Sequence, residues 1–206
     1  MPRLLTLAAL LLLSIPAQAA EKAIARVGEK APNFKAADVL HSRPLELKKL
    51  QGRPVVLEWN NFGCPFVQKH YSSGNMQEMQ REAASMGVTW ITINSSAKDK
   101  QGYLKNAGAV SEALAAVDAA PSHYVLDHSG EIGRAYGATT TPHMYVINPE
   151  GILVYAGAID DMPTPNASDV ATANNFVRGA LMALAGGQPV SPAITKAYGC
   201  NVKYDF

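Results

Sequence analysis

The chain has only two cysteines in 206 residues, Cys64 and Cys200. Two cysteines are too few to hold together a small disulfide-rich scaffold. The chain also lacks any run of basic residues and any alternation of basic with aromatic residues, and its formal net charge at pH 7 is +1. The composition therefore indicates no binding to nucleic acid or to an anionic membrane surface.

Long apolar runs are also lacking beyond the first twenty residues. Arg3 gives a positive start, the apolar run from Leu4 to Ile15 follows, and Ala17-Gln18-Ala19 is a small-x-small cleavage signal. The run is shorter than the ~20 residues that a membrane span needs. We therefore predict a signal peptide over residues 1–19 and a periplasmic or secreted chain with no stable membrane insertion after cleavage. An uncleaved N-terminal anchor is the alternative.

The rest of the chain shows no internal division. It contains no shift of composition, no Gly/Ser linker, no repeat and no low-complexity segment. Residues 20–206 are therefore predicted to form a single domain. Gly186-Gly187 is a strong helix stop, and a Pro-punctuated tail that carries Cys200 begins at about residue 188.

Apolar runs alternate with helical patterns through the first two thirds of the domain. Buried strands are predicted at residues 55–59, 88–93 and 123–126, and helices at 65–86, with a break at Ser73-Gly74, and at 109–117. This order predicts an α/β sheet with parallel strand pairs. Residues 144–147 and 152–156 read as an antiparallel hairpin, and residues 171–185 as a closing helix.

Cys64 stands where a thiol is readily ionised. It follows the strand Val55 to Trp59 and a polar Asn60-Asn61-Phe62-Gly63 turn, and Pro65 comes next, at the favoured first position of a helix. Unpaired amides at a helix start stabilise a thiolate and lower its pKa below the free-thiol value of about 8.5. The alternative is a small buried apolar residue. The placement predicts thiol redox chemistry.

These features resemble the thioredoxin-like fold, and within it the redoxin (AhpC/TSA-related) branch, which is similar to peroxiredoxins and to cytochrome-maturation thioredoxins. The resemblance rests on the strand–turn–Cys64-Pro65–helix unit, on Thr141-Pro142 before the hairpin, and on residues 28–34, which match Gly-x-x-Ala-Pro-x-Phe. Residues 64–71 and 198–204 resemble the two signatures of an exported redoxin subgroup. The resemblance implies a three-layer sandwich, in which a central mixed sheet has flanking helices, and it implies no cofactor.

The chain departs from both well-known motifs of these relatives. A dithiol thioredoxin has Cys-x-x-Cys, but Val67 stands at the fourth position here. A peroxiredoxin has Pro-x-x-x-Thr/Ser-x-x-Cys, but the corresponding positions are Leu57 and Asn61. Chemistry at Cys64 therefore uses either a single thiol or the distant Cys200. A bond between Cys64 and Cys200 is either a reversible switch or a permanent staple.

The resemblance also implies a substrate-binding surface around the thiol. Thioredoxin-like proteins place a cis-proline beside the active cysteine, which implies that Thr141 and Pro142 contact a substrate chain. We expect Trp59, Phe62 and Pro65 to complete this surface, Trp59 and Phe62 by packing around the thiol. The alternative for Trp59 and Phe62 is that they only fill the core. Helical spacing places Val67, Gln68 and Tyr71 on the Cys64 face, and we expect Lys69 and His70 to lie on a solvated face.

Several polar residues allow further roles. Glu58 is either a buried proton relay or an exposed edge residue, and Arg134 is a weak candidate to support a thiolate or peroxide. His123, His128 and His143 raise the question of copper, but Gln68 stands where copper-delivery relatives have a second cysteine. No metal is therefore expected.

Three functions follow. The first is an exported thiol–disulfide oxidoreductase in which Cys64 attacks and Cys200 resolves, acting on a protein thiol or disulfide substrate or reductant. The second is a peroxiredoxin-type thiol peroxidase, whose substrate is a small peroxide. The third is a non-catalytic binding module with a structural Cys64–Cys200 disulfide.

Overall fold

The computed structural model describes residues 24–205, so the predicted signal peptide lies outside the described residues. Two short 3₁₀ helices, Leu47–Leu50 and Ala167–Ala171, accompany the main elements. These elements are, in chain order, β1 Lys35–Asp38, β2 Arg43–Glu46, β3 Val55–Trp59, α1 Pro65–Ser72, α2 Asn75–Ser85, β4 Thr89–Asn94, α3 Ala107–Ala116, β5 His123–Leu126, α4 Glu131–Tyr136, β6 Thr140–Thr141, β7 His143–Ile147, β8 Leu153–Gly157, α5 Phe176–Ala185 and β9 Cys200–Asn201.

The main sheet has seven strands in the order β2-β1-β5-β4-β3-β7-β8. The neighbours β3, β4 and β5 are parallel, whereas β1 and β7 run antiparallel to the strands beside them. β7 and β8 form the predicted hairpin. The sheet is therefore mixed, as expected, and β3 lies near its centre with Cys64 directly beyond its carboxyl end.

Helices cover both faces of the sheet. The larger core cluster joins β3, β4, β7 and β8 to α1, α2 and α5, and it contains Cys64. The second cluster lies on the opposite face and contains Ile132 and Tyr136 of α4. Because alternate residues of a strand point to opposite faces, Val56 belongs to the first cluster and Trp59 to the second. The predicted three-layer arrangement, with a mixed sheet between helices, is confirmed.

Glu58 is a fully buried carboxylate on β3 that ties three elements to this strand. Its oxygens accept hydrogen bonds from Tyr71 of α1 at 2.9 Å, from Gln80 of α2 at 3.3 Å, and from Trp90 and Thr92 of β4 at 2.8 and 2.9 Å. Asn60 Nδ2 donates a further bond at 2.9 Å. A buried charge is tolerated only when such donors replace water. The network therefore fixes the position of α1, and with it the position of Cys64.

The predicted elements differ from the observed ones mainly at the edges. The single long helix from residue 65 is two helices, and they separate at Ser73-Gly74, where a break is expected. The closing helix begins at Phe176 rather than residue 171, because residues 167–171 form a 3₁₀ turn. Strand β2 is absent from the prediction: two of its four residues are exposed, so it carries no apolar run.

Replacing Glu58 by Gln should lower the free energy of unfolding by about 2 to 4 kcal/mol, because an amide cannot accept all five hydrogen bonds and aims its own N–H groups at donors. Urea denaturation measures the change. Glu112→Gln, on an exposed position of α3, is the control and should change stability by less than about 0.5 kcal/mol. Equal stability of the two variants would contradict the role given to the Glu58 network.

Candidate active site

Cys64 is the N-cap of α1, and Pro65 is its first residue. The Cys64 carbonyl accepts from the amides of Val67 and Gln68 at 3.0 and 2.9 Å. The Cys64 side chain is 0% exposed. The predicted helix start is therefore confirmed, and the sulfur is shielded from solvent.

The turn before Cys64 is held by side chains from a distant loop. Asn61 Oδ1 accepts from the Gly63 amide at 2.8 Å, and Asn61 Nδ2 donates to the Gln101 carbonyl at 3.2 Å. Gln101 Nε2 donates back to the Gly63 carbonyl at 2.8 Å. Asn61 stands at a peroxiredoxin Thr/Ser position, but its side chain forms hydrogen bonds that stabilise the turn rather than the thiol.

Cys200 comes from the far end of the chain to lie against Cys64. The two Sγ atoms are 2.6 Å apart, and Cys64 Sγ is also 3.1 Å from the Thr141 carbonyl oxygen. β9, which holds Cys200, pairs antiparallel with β6, so that Cys200 lies opposite Thr141. The Thr141–Pro142 peptide bond is cis, as predicted. The chain's own tail therefore occupies the strand edge at which a substrate chain is expected.

Gly199 allows the tail to approach this closely. Its φ is +132°, and a Cβ there would lie 2.1 Å from the Thr141 carbonyl oxygen. No side chain fits against a backbone atom at that distance, so residue 199 has to be glycine for β9 to pair with β6.

Tyr198, one residue earlier, fixes the tail to a buried ionic cluster. Its hydroxyl donates to Asp160, whose carboxylate is 3.2 Å from the Lys69 ammonium. Lys69 Nζ also donates to the Met162 carbonyl at 2.6 Å. Lys69 and His70 are 1% and 0% exposed, so the expectation that they lie on a solvated face is wrong. Their burial results from the tail and the segment around Asp160, which cover this side of α1.

His70 completes this cluster as a neutral ring. Asn75 Nδ2 lies 2.9 Å from Nδ1 and can only donate to it, so Nε2 carries the proton that faces the Tyr198 hydroxyl at 3.3 Å. Burial lowers the pKa of His70 to about 4, although Asp160 acts in the opposite direction. Lys69 is therefore the cation that balances Asp160.

The last tail residues are fixed independently. The Val202 amide donates to the Thr139 carbonyl at 3.0 Å, and the Tyr204 hydroxyl donates to the Ala138 carbonyl at 2.7 Å. Arg134 covers the Tyr204 ring at 4.6 Å. Arg134 also donates hydrogen bonds to the Ser129 and Asp205 carbonyls, so it holds the tail rather than the thiol, for which it was a weak candidate.

The surroundings of the two thiols shift their pKa values in opposite directions. Burial raises the pKa of Cys64. The thiolate is stabilised by hydrogen bonds from the Cys200 thiol first, and then from the Val67 and Cys200 amides and Thr141. The pKa of Cys64 therefore lies below its usual value. The pKa of Cys200 rises to about 11, because of burial first and then the hydrogen bond and charge of Cys64. Cys64 is therefore the first of the pair to ionise.

Comparison with known proteins places this geometry in a family. The family model described as Redoxin matches residues 26–175. The chain belongs to the redoxin family. Among curated proteins, no sequence matches this redoxin.

Solved structures show the same fold. An uncharacterized conserved protein from Geobacillus kaustophilus has a TM-score of 0.72 at 23% identity, over 87% of this chain and 93% of that one. A hypothetical protein from Sinorhizobium meliloti 1021 has a TM-score of 0.71 at 22% identity, over 87% of this chain and 95% of that one. The thioredoxin domain of a thiol-disulfide oxidoreductase from Bacteroides vulgatus has a TM-score of 0.51 at 17% identity, over 71% of this chain and 96% of that one. At these identities the likeness establishes the thioredoxin-like fold of the redoxin.

The structure brings most of the predicted site residues of the redoxin together, but not Trp59. Phe62 packs against the core cluster that contains Cys64, and with the exposed Pro65 it lines a groove beside α1. Trp59 lies in the cluster on the other face of the sheet, where its indole N–H donates to Ser95. The expectation that Trp59 packs around the thiol is therefore wrong, because Glu58, not Trp59, points to the Cys64 side.

The partners that hold the redoxin's tail were not predicted. Asp160 and Tyr198 meet across 38 positions of the sequence, and no local pattern marks such a contact. The signatures at residues 64–71 and 198–204 were the available signal, because Lys69 and His70 lie in the first and Tyr198 and Tyr204 in the second.

Removing the Cys200 thiol should raise the pKa of Cys64, because the thiolate then loses its strongest hydrogen-bond donor. Thiolate absorbance at 240 nm, followed against pH in reduced wild type and Cys200→Ala, measures the shift. Cys64→Ala is the control and should show little thiolate at pH 8, because burial still raises the pKa of Cys200. An unchanged or lower Cys64 pKa in Cys200→Ala would contradict the assignment.

Gly199→Ala should detach β9 from β6 and slow the formation of the Cys64–Cys200 disulfide, because the added methyl group meets the Thr141 backbone. Oxidation of the reduced protein by diamide, quenched with an alkylating reagent and followed by mass, gives the rate. We expect at least a tenfold decrease. Gly187→Ala, also at positive φ but with open space around it, is the matched control. Equal rates in Gly199→Ala and wild type would rule out this packing constraint.

Proposed function

We propose that this redoxin is an exported thiol–disulfide oxidoreductase in which Cys64 is the attacking thiolate and Cys200 the resolving thiol. The observation that carries the proposal is the distance of 2.6 Å between the two sulfur atoms at the start of α1. Family membership and the fold shared with a thiol-disulfide oxidoreductase domain support it. Export, to the periplasm or the medium, rests on the signal peptide predicted at residues 1–19.

In the first step, the Cys64 thiolate attacks one sulfur of a substrate disulfide. The substrate S–S bond breaks, a Cys64–substrate disulfide forms, and the other substrate sulfur leaves as a thiolate that takes up a proton. Cys64 is 0% exposed while the tail is docked. The tail therefore has to leave Thr141 before the substrate reaches the sulfur, and the substrate chain can then pair with the β6 edge that the tail has vacated.

In the second step, Cys200 returns and attacks Cys64 Sγ. In the mixed disulfide, Cys64 no longer carries a negative charge, so its effects on Cys200 disappear and the pKa of Cys200 falls from about 11. The substrate sulfur leaves as a thiolate, and the Cys64–Cys200 disulfide forms. Two electrons have then passed to the substrate, and a dithiol reductant restores the protein by the reverse exchange.

The alternatives receive less support from the geometry. A peroxidase needs groups that polarise a peroxide at the thiol, but Asn61 bonds to the turn and Arg134 holds Tyr204. In a binding module with a permanent Cys64–Cys200 disulfide, the tail cannot leave, so Cys200–Asn201 would keep filling the strand edge that a partner peptide at Thr141 needs. Both functions remain outcomes of the test.

The test is to trap the mixed disulfide. Reduced Cys200→Ser, Cys64→Ser and wild type are mixed with a peptide disulfide, and adducts are counted by mass spectrometry after acid quenching. We expect Cys200→Ser to accumulate an adduct at Cys64, Cys64→Ser to react at least tenfold more slowly, and wild type to pass on to the internal disulfide without a lasting adduct.

Parallel reactions with hydrogen peroxide separate the other functions. Faster reaction of Cys64 with peroxide than with the peptide disulfide, with sulfenic acid trapped in Cys200→Ser, would overturn the proposal in favour of a peroxidase. Failure of both reagents to react with Cys64 would favour a structural disulfide.

A further inference from the structure

We propose that Asp38, His41 and His123 form a binding site for one divalent late transition metal ion, for which zinc is the probe. One ligand atom from each residue lies within 4.8 Å of the other two. The donor set, two imidazole nitrogens and one carboxylate oxygen, suits Zn²⁺, which takes three protein ligands and a water in an open site. This site is independent of the thiol chemistry proposed above.

The Asp38 carboxylate is held in place before any ion binds. It is 0% exposed, at the end of β1. Its Oδ1 accepts from the amides of Leu40 and Tyr124 at 3.2 and 3.4 Å. Its Oδ2 is thereby turned toward the two histidines, so one oxygen is free of backbone donors and faces the position of the ion.

Two imidazoles converge on that oxygen through the same ring atom. The Nδ1 atoms of His41 and His123 lie 2.6 and 2.8 Å from Asp38 Oδ2. Without metal, each ring donates a proton to the carboxylate. A metal ion would take the place of these two protons, with each imidazole binding it through Nδ1 and carrying its remaining proton on Nε2.

The two histidines differ in solvent exposure, and the exposed one provides access to the site. His123 is 8% exposed and is the first residue of β5, so the sheet holds it. His41 lies in the turn between β1 and β2, and its side chain is 47% exposed. An ion can therefore enter from solvent beside His41, whose ring can adjust to the metal–ligand distance.

Arg43 is the charged neighbour that opposes a cation here. Its Nε lies 3.8 Å from Asp38 Oδ2, and its side chain is 60% exposed. Because it is exposed, it can turn into solvent when an ion takes its place. Because Arg43 and the ion compete for the Asp38 carboxylate, removal of the Arg43 charge should tighten metal binding. A His–Asp–His cluster with only a structural role would bind no metal in either case.

The site and the cysteines lie at opposite ends of the parallel strands. His123 is at the amino end of β5, whereas Cys64 follows the carboxyl end of β3, and β3, β4 and β5 are parallel. A bound ion would link the β1–β2 turn to β5. Metal binding and thiol chemistry can therefore be measured separately.

The test is calorimetric titration of Zn²⁺ into the full chain carrying Cys64→Ser and Cys200→Ser, so that no thiol binds metal. We expect one ion per chain and a melting temperature that rises with Zn²⁺. His41→Ala should weaken binding at least tenfold. Because His41 is exposed, this variant keeps the fold, and circular dichroism checks that it does. Arg43→Gln should tighten binding.

His128→Ala is the matched control, since His128 is also a partly exposed histidine but bonds to the Leu104 carbonyl. It should bind zinc as the parent does. Absence of binding would overturn the proposal. So would binding that His41→Ala leaves unchanged, or several ions bound without dependence on the three residues.

Discussion

The thiol chemistry proposed for this chain depends on the docking of its C-terminal tail against the β6 edge. Cys64 has no second thiol in its own helix, so a partner has to be brought from 136 positions away. Pairing of β9 with β6 supplies it, and anchors on both sides keep it there: Tyr198 in the Asp160–Lys69 cluster and Tyr204 on the Ala138 carbonyl. The pair of cysteines is thus a product of tertiary structure rather than of a short motif.

The same docking has two opposed consequences. It lowers the pKa of Cys64 through the hydrogen bond from Cys200, and it covers the sulfur that is proposed to react. A covered thiolate is protected from solvent oxidants, but a substrate has to displace the tail to reach it. In this account, release of β9 is part of each catalytic cycle, while the Glu58 network keeps α1 and the Cys64 turn in place.

Much of the fold and the centre of the site were predictable from the sequence. Apolar runs locate β3 and the β7–β8 hairpin, Pro65 locates the start of α1, and Thr141-Pro142 marks the loop beside the thiol. The errors have physical causes. Trp59 is close to Cys64 in the sequence, but strand alternation turns its side chain to the other face of the sheet. Helical spacing turns Lys69 away from the Cys64 face, which favours a solvated position, but Lys69 is buried beside Asp160, whose proximity no local pattern indicates.

The central claim is that Cys64 and Cys200 form a reversible redox pair. Its most direct test is the reduction potential of their disulfide, measured by equilibrating the protein with defined ratios of reduced to oxidised dithiothreitol and alkylating the free thiols. A stabilised Cys64 thiolate favours the reduced form, so the account predicts a potential above about −300 mV, within reach of dithiol reductants. A potential well below that value would identify a permanent structural disulfide and contradict the account.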